Sequence, residues 1–214
     1  MIPVEIAGER CHLLAERALL HAGTLYIADA HWGKAAAFRA SGVPLGDAPL
    51  RADLERLHRA LDRSGAQRLV VLGDLVHAAA GRTPEVLAAV AAWRAAHPDL
   101  PVTLVRGNHD RHAGDPPAGW RIRVIEEGTA AGPFVLSHQP VSSPAGYVLA
   151  GHLHPGVRLE GPGGQRLRLP CFHIRPDCAV LPAFSRFTAA NPITPRAGDR
   201  IYAVADDQVV AVYP

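Results

Sequence analysis

Five short segments of this 214-residue chain bring together the side chain types that bind metals: Asp29-Ala-His31, Gly73-Asp74-Leu-Val-His77, Gly107-Asn108-His109-Asp110, Ser137-His138-Gln139-Pro140 and Gly151-His152-Leu-His154. Counting His112, seven of the twelve histidines lie in or beside them. Carboxylate, amide oxygen and imidazole together suit Mn²⁺, Fe or Zn²⁺ and do not suit an all-oxygen Ca²⁺ cage. The seven candidate ligands, Asp29, His31, Asp74, Asn108, His138, His152 and His154, exceed what one ion takes. Two ions about 3.5–4 Å apart that share a carboxylate would use them. In extended chain, residues two apart face the same way, so Asp29 with His31, and His152 with His154, are each expected to offer two ligands to one site. Glycine before Asp74, Asn108 and His152 allows the tight turn that brings backbone close to such a cluster.

The elements that must position these groups can be read from the flanks. Each segment follows an apolar, strand-like run: Thr24–Ala28, Arg68–Leu72, Pro101–Val105, Phe134–Leu136 and Tyr147–Ala150. In α/β sheets ligands bind outside the carboxyl ends of strands, so the five loops should converge. Leu50, Leu54, Leu57 and Leu61 recur at helical spacing and predict a helix over Pro49–Arg63. A second is predicted from Pro84, with Val86, Leu87, Val90 and Trp93 on one face and Pro98 beyond its end. The last third predicts hairpins, Val157–Leu169 around Gly161–Gly164 and Ile201–Ala205 with Val209–Tyr213 around Asp206-Asp207. Leu181–Pro195 reads as an ordered loop in which Phe184 and Phe187 need burial. Alternating α/β units followed by antiparallel strands predict two packed sheets with helices outside, one domain over 1–214.

Composition narrows the field. With 48% apolar and 20% charged residues, a disordered or collagen-like chain is excluded. A formal charge of +2 excludes a polycationic binder and leaves any electrostatic footprint local. Of the 22 basic residues all but Lys34 are arginine, which beside so much alanine reads as genomic base composition. Cys11, Cys171 and Cys178 lack the spacing of a disulfide framework or zinc knuckle and read as small apolar residues in a reducing compartment. The amino-terminal stretch has no secretory pattern and no apolar run reaches the ~18–20 residues of a membrane span, so a cytoplasmic location without membrane contact is expected. His12, His21, His58, His97 and His173 read as ordinary structural or surface histidines.

The five segments, in this order, resemble the calcineurin-like metallophosphoesterase superfamily over Asp29–His154. The resemblance implies a four-layer α/β/β/α sandwich with a mostly antiparallel C-terminal part and a dinuclear centre at one edge. One metal would take Asp29, His31, Asp74 and His154; the other Asp74, Asn108, His138 and His152, with Asp74 bridging and His109 the catalytic histidine. It also implies a phosphodiesterase or nuclease mechanism: in-line attack on phosphorus by a hydroxide held between two divalent ions, Mn²⁺ first, with Fe or Zn²⁺ as alternatives.

Asp29–Arg39, Gly42–Pro44 and Leu181–Thr188 resemble, more narrowly, the bacterial ligase-associated DNA damage response phosphoesterases (the PdeM group). That group implies DNA as substrate and association with an ATP-dependent DNA ligase, a helicase and an exonuclease-like protein. Ala30, Trp32 and Gln139 depart from its pattern without touching a candidate ligand, and His77 stands where some phosphoprotein phosphatases carry Asp. Lys34 at a helix start could meet a substrate phosphate as a point charge, and Arg106, Arg111 and Arg39 flank the motifs as further candidates. Asp110 reads as a cap and His112 as exposed. The rival readings are a small-molecule or cyclic-nucleotide phosphoesterase on the same scaffold, and a non-catalytic interaction module.

Overall fold

In the computed structural model, which describes residues 1–46 and 48–213, the first seven strands form one sheet in chain order. β1 (Ile2–Ile6), β2 (Glu9–Leu14), β3 (Ala18–His21) and β4 (Thr24–Ile27) are antiparallel; β5 (Arg68–Leu72), β6 (Val102–Val105) and β7 (Ile122–Ile125) continue parallel to β4. Parallel strands are buried on both faces, which is why their sequences are continuous apolar runs. Leu25, Ile27, Leu69, Val71 and Leu104 pack beneath helices, while Tyr26, Ala28, Val70, Leu72 and Val105 face the second sheet. Strands β1–β3 go beyond the sequence reading. They turn at Ala7-Gly8 and Ala22-Gly23, with positive φ at both residues of each pair. Two-residue hairpins demand that conformation, and Asn or Asp, rather than Ala, normally signals it.

The helices are α1 (Lys34–Ala40), α2 (Ala48–Ser64), α3 (Pro84–Ala96) and α4 (Asn108–Ala113). The predicted leucine face of α2 is buried, each leucine contributing roughly 1.5–3 kcal/mol. In α3 the Thr83 side chain accepts from the Val86 amide at 3.4 Å, Pro84 occupies the first turn, and Val86, Val90 and Trp93 are buried. Trp32, behind the site, packs edge-on against Trp93 and Trp120 at centroid distances of 6.1 and 6.0 Å. No described helix is long and apolar enough to cross a membrane.

The second sheet contains β8 (Thr129–Ala131), β9 (Phe134–Leu136), β10 (Tyr147–Ala150), β11 (Pro155–Glu160), β12 (Arg166–Ile174), β13 (Cys178–Val180), β14 (Asn191–Pro192), β15 (Arg200–Ala205) and β16 (Gln208–Tyr213). Strands β9, β10 and β13 are parallel; β11 with β12 and β15 with β16 form the predicted hairpins, and β12 joins them to β13 and β15 antiparallel. Phe134, Leu149, Phe172 and Tyr202 fill the space between the sheets. Among the described residues, helices longer than three residues all fall within 34–113. The outer face of the second sheet is covered in part by irregular chain: Ile193 packs on Val157, Cys171 and Ile201, and His173 pairs with Asp199 at 2.8 Å. Within the 181–195 loop Phe184 is fully buried, but Phe187 is only half-buried, edge-on to Phe38 at 6.0 Å. All three cysteines are buried free thiols, and burial pushes them up to about 11 (Cys11) and about 12 (Cys171, Cys178).

Candidate metal centre

The five loops leave the carboxyl ends of β4, β5, β6, β9 and β10 at one edge of the two sheets. Past the last paired residues of β4 and β5 the backbones remain zipped: the Asp29, His31 and Trp32 amides donate to the carbonyls of Gly73, Asp74 and Leu75 at 3.1, 2.8 and 2.7 Å. The chain reaches this geometry through the left-handed region, with φ of 55° at Asp29, 46° at His31, 54° at Asp74, 70° at His152 and 49° at His154. A residue with a Cβ held there costs roughly 1–3 kcal/mol. The extended pairing expected from the spacing is therefore corrected. Asp29 and His31 meet through turns, not through strand alternation, and His152 and His154 diverge to different groups.

Those groups are Asp29, His31 and His154, and Asp74, His138 and His152, each with ligand atoms within 4.8 Å of one another. In the first, His31 Nε2 lies 3.4 Å from His154 Nε2, and Asp29 Oδ1 lies 3.3 Å from His154 Nε2. Asp29 Oδ1 and His31 Nδ1 are buried without a hydrogen bond. In the second, His138 Nδ1 donates to the Leu72 carbonyl at 3.0 Å, which leaves Nε2 as the inward nitrogen. That atom meets Asn108 Oδ1 at 2.9 Å, His152 Nδ1 at 3.0 Å and Asp74 Oδ2 at 3.4 Å. Converging lone pairs and orphaned buried polar atoms are the donor arrangement that a pair of divalent cations satisfies.

Electrostatics follow from burial and the two carboxylates. Burial pushes His31 down to about 2 against the pull of Asp74, and it pushes His152 down as well. For His138 burial also acts downward, but the Asp74 hydrogen bond and charge, with Asp29 behind, outweigh it and bring the imidazole up to about 9. Burial would raise Asp74; its contacts with His138 and the His109 amide reverse this and hold it at about 2. A cation held by the second group would have to displace a proton from His138.

Glycines and one buried acid set the spacing. A Cβ on Gly107 would lie 2.3 Å from Asp74 Oδ1, and one on Gly151 would lie 2.6 Å from both Ala28 Cβ and Asp29 Oδ2. Asp110, 2% exposed, accepts from the amides of Gly107, Asp74 and Val76 at 3.0, 2.8 and 3.1 Å. It is a cap, as read from sequence, and it also fastens the β6 loop to the β5 loop. The His152 amide is anchored on Asp29 Oδ2 at 2.9 Å.

His109 stands at the mouth, Nε2 4.0 Å from Asp74 Oδ2, with Nδ1 donating to the His77 carbonyl at 2.7 Å. A backbone oxygen thus does the orienting that the missing Asp would do elsewhere. The His77 ring stacks on His109 at 4.7 Å and groups with it and His31, a contact whose only sequence signal was its place in the Gly-Asp-x-x-His segment. Lys34 Nζ donates to Thr188 Oγ1 at 3.2 Å and lines a small pocket with His31. Arg106 and Arg111 are not drawn into the centre. Arg106 is engaged by Asp115 and Glu126, and Arg111 by Glu126 and Glu127 at 3.6 and 3.3 Å. His112 is exposed and bonded to the Asn108 carbonyl at 2.7 Å.

Comparison with known proteins places this edge in a lineage. Residues 24–152 match the calcineurin-like phosphoesterase family model, and the chain belongs to that family of hydrolases acting on phosphoester bonds. A nuclease from Pseudomonas putida, MPE, is 41% identical over 99% of both chains, with a TM-score of 0.86. The phosphoesterase Yfce from E. coli is 15% identical over 89% of this chain and 98% of its own, with a TM-score of 0.41. No curated protein sequence matches.

Proposed function

We propose that the chain, a single domain over 1–214, is a two-metal phosphodiesterase that cleaves DNA in bacterial DNA repair. The observation that carries this is the convergence of two three-residue ligand groups on one sheet edge, with His109 at their mouth. Asp29, His31 and His154 would hold one ion, and Asn108, His138 and His152 the other, with Asp74 shared. Two divalent ions held there, Mn²⁺ in this reading, would supply an activated water near neutral pH and offset charge on the phosphoryl oxygens. His109, its Nδ1 proton fixed on the His77 carbonyl, places Nε2 4.0 Å from Asp74 Oδ2. As an imidazolium it would give the second proton, on Nε2, to the leaving oxygen and return to the neutral ring. Lys34, partly desolvated and so with its pKa lowered, offers one positive charge beside His31. The resemblance to the P. putida nuclease supports a nucleic-acid substrate over a small phosphoester. A cytoplasmic location and association with a DNA ligase, a helicase and an exonuclease-like protein complete the reading.

One panel tests it: Mn²⁺-loaded protein against a phosphomonoester, bis-p-nitrophenyl phosphate, single-stranded DNA and flapped DNA, beside His109→Ala. Cleavage of DNA by the parent and not by the variant is expected. Hydrolysis of the small diester without any DNA cleavage would replace the nuclease with a small-molecule phosphodiesterase.

A further inference from the structure

Away from the metal-type motifs, a cavity of about 430 Å³ is walled by arginine. A second, of about 270 Å³, begins at His154, one of the candidate ligands. Arg17 and Pro170 line both, so the two adjoin in one trough, with His154 lining the second part and the α2 arginines the first. Six arginines face it: Arg17 from the β2–β3 turn, Arg56, Arg59 and Arg63 at helical spacing on α2, Arg168 from β12 and Arg186 from the 181–195 loop. Against them stand Glu16, Asp206 and Asp207 on the wall and Asp53 beneath Arg56. The local surplus of positive charge equals that of the entire chain, +2.

The fold goes to some expense to hold these cations. Arg17 occupies a left-handed turn position, φ 63°, that glycine would fill with less strain. Its Nη1 donates to the Ala183 and Ser185 carbonyls, both at 3.0 Å. The same segment is tied to the metal edge, with the Phe184 and Ser185 amides donating to the carbonyls of Ala28 and Asp29. Arg56, 6% exposed, bonds Asp53 at 2.9 Å and the Phe184 carbonyl and lies over the Phe184 ring, yet its Nε and Nη1 are buried without a partner. Burial, and then the neighbouring charges of Arg56 and Arg186, bring Arg17 down to about 10. Crowded like charges destabilise a fold unless an anion joins them.

We propose that this trough is the path of the substrate's phosphodiester backbone beyond the phosphate being cleaved, an inference that rests on the nuclease reading above. A single phosphate would need one guanidinium or two. A wall of six that adjoins a candidate metal ligand suits a strand with a negative charge at every residue. Arg17, Arg56 and Arg63 are held by the fold and by Glu16, and the exposed forks of Arg59, Arg168 and Arg186 would grip phosphates without reading a base.

The test uses Arg59→Ala/Arg168→Ala/Arg186→Ala, three exposed positions outside the metal centre. A fluorescent DNA strand of about 20 nucleotides should bind at least about tenfold more weakly, and the slope of log Kd against log salt should fall by about two, near 0.7 per lost contact. Hydrolysis of bis-p-nitrophenyl phosphate should stay within about twofold of the parent, and the triple Lys variant should keep most of the DNA binding. Unchanged binding and slope, in a parent that cleaves DNA, would overturn the trough and leave the nuclease reading standing. An equal loss on DNA and on the small diester would also overturn it, because the arginines would then be supports of the metal edge. A parent that cleaves the diester but neither binds nor cuts DNA overturns the nuclease reading, and the trough with it.

Discussion

At the candidate metal edge, seven side chains from five strand-end loops bring nitrogen and oxygen atoms together across 2.9–3.4 Å contacts. Along the trough, six guanidiniums from four chain segments are pressed together on one wall. The first gathers carboxylates and imidazoles; the second gathers guanidiniums that outnumber the acids beside them, Glu16, Asp53, Asp206 and Asp207. The tolerances differ. Coordination requires side chains placed within fractions of an ångström, and the backbone meets that demand with strained turns and glycines that admit no Cβ. A charged wall works over several ångströms, and its members can come from anywhere that folding brings near.

The largest effect is expected at Asp74, which lies 3.4 Å from His138 Nε2 and accepts from the His109 amide at 2.9 Å. Asp74→Asn should abolish hydrolysis of every ester, large or small, and cut bound metal as measured by atomic absorption; retained activity would remove the metal edge from the mechanism. His109→Ala comes next. Turnover should drop by about 10²–10⁴ with metal content intact, the signature of a proton-handling group rather than a ligand. Gly151→Ala should lower stability by about 1–3 kcal/mol, because the new methyl must displace Ala28 and Asp29. A melting curve identical to the parent's would mean the edge is looser than its contacts imply.

The two regions also differ in their response to pH. His138 is held up to about 9 in the metal-free chain, above its ordinary 6.5. Its contribution to stability is therefore complete below about 6.5 and is lost as pH rises to about 9. Metal-free protein should melt progressively lower across that window, while Mn²⁺ affinity climbs over the same interval because the ion no longer competes with a proton. Parallel trends would contradict a His138 kept protonated by Asp74 in the metal-free chain. The smallest effect belongs to Arg111→Ala. Exposed and paired with Glu126 and Glu127, it should change stability by no more than about 0.5 kcal/mol and DNA binding by less than about twofold. A larger loss of binding would widen the anionic footprint beyond the trough.

The edge was legible because its information is local. Gly-Asp, Gly-Asn-His-Asp and Gly-His-x-His sit directly after apolar runs that must be buried strands, and the parallel β4–β6 core and helices α2 and α3 follow from the same spacing. What spacing could not give was the conformation. Asp29 and His31 appear as an extended pair in sequence, yet left-handed turns and cross-loop hydrogen bonds join them. The trough was invisible for the opposite reason. Arg17 and Arg186 are 169 positions apart, and only packing of the Ala183–Ser185 segment against the β2–β3 turn makes them neighbours. Arg56, Arg59 and Arg63 do share a face of α2, but in a chain rich in arginine that stripe carried no distinction until the structure set it opposite Arg186. Arg106 and Arg111 looked better placed beside their motifs, but nearby glutamates and Asp115 engage them.

Trp32 follows His31 directly in the chain and packs against Trp93 and Trp120, so all three tryptophans of the sequence occupy one cluster behind the metal edge. The tryptophan emission of this protein consequently comes from a single locality, one residue away from a candidate ligand. A paramagnetic ion settling on His31 would dim that light, whereas a strand lying along the arginine wall would leave it nearly unchanged. Ion uptake and strand capture can thus be told apart in unlabelled protein, by the brightness of indoles that take no part in either.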